Sequence, residues 1–124
     1  MAFKTLESLD FFKELESLCD EIWAEVQDWA WFEKKTVGAQ LVRAFDSVGA
    51  NIVEGEGRWS GRDQLRHLHI AHRGSLQEAR WWLIRAKNRG LFHRKKPEEY
   101  IAALESIHRR FNKLITYRRK TLAS

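Results

Sequence analysis

One cysteine, one proline and no long apolar run characterise this 124-residue chain by what they leave out. Cys19 has no partner for an internal disulfide, so it reads as a small core residue in a reducing compartment. No stretch approaches the roughly 20 apolar residues that cross a bilayer. The opening Met-Ala-Phe-Lys-Thr also lacks a basic segment leading into an apolar one. The expectation is a soluble, cytoplasmic protein with no membrane partner. With Pro97 alone and seven glycines, little interrupts helices, and strands have little support.

Catalytic and metal signatures are scarce too. A carboxylate-bridged di-metal bundle needs two Glu-x-x-His pairs facing inward, and only Glu105 and His108 stand at that spacing. His67 points away from His69 and His72 on a helix, which leaves at most two ligands together. No glycine loop precedes a lysine to cradle phosphate, and Ser47 and Ser75 have no histidine at a fixed spacing. The chain is therefore expected to be non-enzymatic, with no metal and no cofactor.

What is present is apolar content of 44%, enough for the core of one domain over residues 1–124, and a strong segregation of charge. Residues 1–56 hold 5 Lys/Arg against 12 Asp/Glu, whereas residues 57–124 hold 17 against 5. The overall +5 conceals a dipolar chain suited to a polyanion, or to docking of one copy's acidic face on another's basic face.

The apolar residues recur at helical spacing. Leu15, Leu18, Ile22, Val26 and Trp29 predict a helix over about residues 6–31; Val37, Leu41, Ala44, Val48 and Ile52 predict a second. The second should close at Glu54-Gly-Glu-Gly57 through a left-handed glycine. Ser60 is an N-cap candidate for a third helix carrying Leu65, Leu68, His72, Leu76, Ala79, Leu83 and Ala86 to Arg89-Gly90. Pro97 suits the first position of a fourth, lined by Ile101, Leu104, His108, Phe111 and Ile115. Short connections favour an all-α, antiparallel, up-down-up-down four-helix bundle.

Beside the apolar stripe of the second helix runs a polar seam, Gln40, Arg43, Ser47, Asn51 and Glu54, along one edge. Half-buried polar groups need partners, so this row is expected to fix which helix packs there and in what register, or to line a pocket.

The run Gln-Leu-Val-Arg-Ala-Phe-Asp-Ser-Val-Gly-Ala-Asn-Ile-Val-Glu-Gly-Glu-Gly-Arg at 40–58 resembles the signature of the bacterial four-helix bundle protein family. So do Arg-Gly-Ser-Leu-Gln-Glu at 73–78, Trp82-Leu83 and Arg89-Gly90-Leu91. That family includes proteins encoded in intervening sequences of large-subunit ribosomal RNA genes, and it is similar to the accessory variability determinant of diversity-generating retroelements. The resemblance implies an antiparallel protomer in a ring-like homo-oligomer, a pentamer. Nucleic acid or a reverse transcriptase would be the partner, as for the retroelement accessory protein. It also implies roles for Gln40, Arg43, Ala44, Ser47, Asn51, Glu54, Gly55, Gly57, Arg58, Gly74, Ser75 and Glu78. His72 departs from the family pattern, which has a small residue there.

Two surfaces follow from the residues themselves. Opposite Leu83 on the third helix, Ile70, Gly74 and Trp81 form an apolar and small-residue strip suited to an oligomer interface. Between Gly57 and Lys96 eleven basic residues face only Asp63 and Glu78, with Trp59 and Trp82 among them. Arg58, Arg62, Arg66, Arg94, Lys95 and Lys96 are the candidate phosphate contacts for RNA or DNA. The competing reading is an oligomeric scaffold whose basic face meets protein only.

Overall fold

The computed structural model describes residues 10–123, and among these the apolar spacing resolves into four helices with no strand. Helix α1 is Asp10–Gln27. Helix α2 joins Trp31–Glu33, a π-helical stretch Lys34–Gly38 and Ala39–Glu56. Helix α3 likewise joins Gly61–His69, a π-helical stretch Ile70–Ser75 and Leu76–Asn88, and α4 is Pro97–Ala123. The first expected helix reached back to residue 6, and the expected domain covered residues 1–124; residues 1–9 and 124 lie outside the described part.

Helix ends follow local chemistry. Ser60 is extended, and its Oγ accepts the Asp63 N–H at 3.0 Å, as an N-cap should. Glu99 accepts the Lys96 N–H at 3.3 Å and so helps seat Pro97 at the start of α4. At the end of α3, Gly90 takes φ +67° while Leu91 N–H bonds to Ala86 O at 3.1 Å and Gly90 N–H to Lys87 O at 3.0 Å. This double closure is the Schellman arrangement. Helix α1 stops earlier than its stripe suggests, because Asp28 and Trp29 N–H fold back onto the Glu25 and Val26 carbonyls.

The end of α2 differs from expectation. Gly57 has φ −82°, and Gly90 is the sole left-handed residue among those described. The glycine that matters here is Gly55, where a Cβ would lie 2.6 Å from the Cβ of His67. Its missing side chain brings α2 against α3, instead of reversing the chain.

The stripes meet in one core. Leu15, Ile22, Leu41, Phe45, Ile52, Leu68, Leu76, Leu83 and Phe111 are all fully buried, each contributing about 1.5–3 kcal/mol relative to exposure. Helices α1 and α3 each pack on both α2 and α4. On α4 the buried row is Tyr100, Leu104, Ile107, Phe111 and Ile115, so Ile101 and His108 sit at its margin rather than in it. On α3 the wider π turn carries burial from Leu68 and Ala71 on to Ser75 and Leu76, leaving His72 half-buried against Phe111.

Cys19 is half-buried, its Sγ 3.4 Å from the Phe45 carbonyl. Burial, reinforced by Asp46 and Asp20, pushes its pKa up to about 12, so the thiol stays protonated at neutral pH.

Candidate functional site

The polar seam of α2 finds some of its partners on α3 and the rest along α2 itself or just past its end. Asn51 Nδ2 donates to Ser47 O at 2.9 Å and to Ser75 Oγ at 3.1 Å. Arg43 bonds to Gln40 and reaches Glu78 at 3.3 Å, and Glu78 also accepts the Trp82 indole N–H at 3.3 Å. Glu54 pairs with Arg58 one turn on, at 2.7 Å. Two members of the row, Arg43 and Asn51, therefore tie α2 to α3, while Gln40, Ser47 and Glu54 bond within or just beyond α2.

The most heavily used polar group is Glu25, fully buried beneath the α3–α4 connection. Its carboxylate accepts the backbone N–H of His93 at 2.7 Å and of Arg94 at 3.0 Å, the Trp29 indole N–H at 3.0 Å and the Tyr100 hydroxyl at 2.9 Å. Burial pushes its pKa up, but these bonds outweigh burial and hold the carboxyl below the usual carboxylate range. In the sequence Glu25 is one of the 12 acidic residues of the first half. The missed signal was its position three residues after Ile22 and four before Trp29, on the apolar side.

The expected basic contacts separate into two groups. Arg94 bonds to Asp28 at 2.6 Å and Lys95 to Glu21, which fastens the basic turn to acidic α1 within one chain. Arg110 does the same with Glu14. Arg58 and Arg66 hold only exposed local pairs, with Glu54 and with Asp63, whereas Arg62 and Lys96 have no ion pair among the described residues. Sequence reasoning did not single out Arg73 and Arg119, which also lack an acidic partner there. Burial lowers the His69 pKa, and Arg73 and Arg119 lower it further, so both guanidinium groups lie within electrostatic range of one imidazole. A fold is needed to bring residues 46 positions apart to one place, so no sequence pattern marked them.

Ile70, Gly74 and Trp81 all lie on the outside, with Ile70 41% and Trp81 56% exposed. Trp81 also lines a groove of about 770 Å³ between the start of α2 and the end of α3, with Phe32, Trp82, Arg85 and Arg89. Trp59 is fully exposed and takes no part in it.

The His72 and His108 rings meet at 4.6 Å, a pairing across α3 and α4 that spacing along one helix could not show. Burial lowers the His72 pKa, with His108, His69 and Arg73 adding to the shift. His67 is buried beneath Gly55. Among the described residues no three His, Cys, Asp or Glu side chains are grouped so as to hold a metal ion.

Comparison with protein families matches residues 7–113 to the 23S rRNA-intervening sequence protein family. The chain belongs to this family. No curated protein matches it. In this member of the 23S rRNA-intervening sequence protein family several residues that carry the resemblance make contacts inside the protomer: Asn51 bonds to Ser75, Arg43 to Glu78, and Gly55 admits His67. Gly74 has nothing within 4 Å of where a Cβ would stand, so no packing contact inside the protomer requires glycine there. No described helix is long and apolar enough to cross a membrane.

Proposed function

We propose that this member of the 23S rRNA-intervening sequence protein family is a non-enzymatic, oligomeric, cytoplasmic protein that binds RNA through a basic surface on α3 and α4. The observation that carries this reading is the accumulation of unpaired cations, with Arg73 and Arg119 both felt by His69. Arg62, at the start of α3, is a further cation without an ion pair among the described residues, and Gly61 beside it lies against Leu122 of α4. Contact by charge and shape, without base reading, fits a surface that has no groove-reading helix module. Arg94 and Lys95 are assigned instead to fastening the turn to α1.

The family's tie to 23S rRNA intervening sequences is compatible with an RNA-related role, and RNA is therefore the first ligand to test. An antiparallel up-down-up-down protomer is supported by the order of contacts: Glu14 with Arg110, Glu21 with Lys95 and Asp28 with Arg94 step in opposite senses along the chain.

Gel-shift titration with structured RNA tests the reading. With three phosphates neutralised, one each by Arg62, Arg73 and Arg119, affinity should fall about 40-fold between roughly 50 and 200 mM salt. Arg73→Gln and Arg119→Gln should each reduce the log–log salt slope by about one, and Arg94→Gln should leave it unchanged. No binding at low salt would leave a protein scaffold.

The subunit contact is proposed at the outer strip of α3, where Ile70 is exposed and Gly74 permits close approach of another backbone. Ile70→Glu should reduce the mass in light scattering to that of a monomer. An unchanged oligomer would move the interface elsewhere.

A further inference from the structure

We infer that the groove between the start of α2 and the end of α3 seats unpaired nucleobases, so that the protein prefers single-stranded RNA to duplex. This rests on the RNA-binding reading above and adds a second, apolar component to it.

The walls supply flat apolar faces. Phe32 is 64% exposed and Trp81 56%, an aromatic surface that the protomer leaves uncovered. Trp82 is the anchored wall: its indole N–H is held by Glu78, which Arg43 holds in turn. The groove's volume of about 770 Å³ falls within the range of pockets that take small planar ligands.

Charge selects the occupant. Lys35, Arg85 and Arg89 line the groove against the single acid Glu33, and none of the three cations has an ion pair among the described residues. The Arg85 guanidinium lies 4.7 Å from the Trp81 ring centre. A cation beside an exposed indole fits a ligand that brings both a π-face and anionic oxygens, as a nucleotide does. A duplex keeps its π-faces stacked inside and offers the groove only phosphate. The same cationic lining disfavours a purely apolar peptide.

The test is fluorescence anisotropy at about 50 mM salt, with a labelled short oligoadenylate strand and an RNA duplex carrying as many phosphates. Wild type should bind the strand more tightly than the duplex. Trp81→Ala and Phe32→Ala should each weaken strand binding roughly 5- to 100-fold while duplex binding stays within about twofold. Trp81→Phe should recover most of the loss, and circular dichroism should show both alanine variants folded. Equal weakening on strand and duplex, or none on either, overturns the inference and leaves the charge-led reading standing. Failure of wild type to bind either RNA overturns both. A fall in mass of Trp81→Ala in light scattering, without RNA, would reassign the groove to a subunit contact and overturn the inference.

Discussion

Glu25→Ala is expected to destabilise the protein by about 3–5 kcal/mol, which in a domain of this size corresponds to a fall in melting temperature of roughly 10–20 °C. The carboxylate is fully buried and joins three parts of the chain: the end of α1 through Trp29, the basic turn through His93 and Arg94 N–H, and the start of α4 through Tyr100. Alanine would leave four donors without an acceptor, and two of them, on the buried Trp29 and Tyr100 side chains, have little access to water. Each such orphan costs about 1–3 kcal/mol before any relaxation. Glu25→Gln keeps one acceptor but turns an amide toward other donors, so it should recover only part of the loss.

The pH dependence has a definite sign. Since the folded-state pKa of Glu25 lies below its ordinary value, the stabilisation is complete above the ordinary carboxylate range and is lost as pH falls through the folded-state value. Urea unfolding from pH 7 downward should show the wild type losing its advantage over Glu25→Gln in that acid window. A constant difference across the window would mean that the four hydrogen bonds do not depend on the charge.

The same residue explains where the sequence was legible and where it was not. The apolar residues that alternate by three and four located all four helices, and Ser60, Gly90 and Pro97 marked three of their ends, since stripes and caps are properties of short segments. Two kinds of feature escaped. The π turn of α3 carries one extra residue, so a constant helical period misassigns the buried side within it: Ser75 is buried and His72 only half so, while Leu76, Ala79, Leu83 and Ala86 beyond it are buried as expected. Charged residues on the apolar side were counted with the solvated ones. Glu25 lies between Ile22 and Trp29 and Glu56 four residues after Ile52, and both are buried. A carboxylate at a stripe position was the readable sign, but its partners, Tyr100 and Arg118, come from a distant helix that the pattern cannot supply.

Segregated charge takes on a different meaning once the pairs are known. Much of the acid in α1 meets the basic residues at and beyond the α3–α4 turn in the same chain, through Glu14–Arg110, Glu21–Lys95 and Asp28–Arg94. The asymmetry therefore helps hold α1 against α4 within one protomer. Arg62 and Arg73 on α3 and Arg119 on α4 remain outside that pairing. A candidate phosphate surface is better chosen from cations left over after folding than from the densest run in the sequence.

Arg118→Ala is expected to cost as much as the loss of Glu25, and for the converse reason. The Glu56 side chain has no exposed surface, and its Oε1 accepts from Arg118 Nη1 at 2.7 Å while Oε2 has no partner among the described residues. Removing the guanidinium leaves a carboxylate in the interior with its charge uncompensated, a change worth about 3–5 kcal/mol. The pair itself need not be a large net stabiliser, since burying two charges costs nearly what their attraction returns. Adding Glu56→Leu to Arg118→Ala should therefore restore most of the stability, whereas two independent losses would add. The exposed Arg66–Asp63 pair is the control: both side chains are largely solvated, and Arg66→Ala should change stability by less than about 1 kcal/mol. Urea unfolding of the two single variants and the double variant gives the coupling directly. A double variant less stable than Arg118→Ala alone would show that Glu56 is held by its surroundings rather than by Arg118, and that the arginine acts mainly through the packing of its alkyl stem.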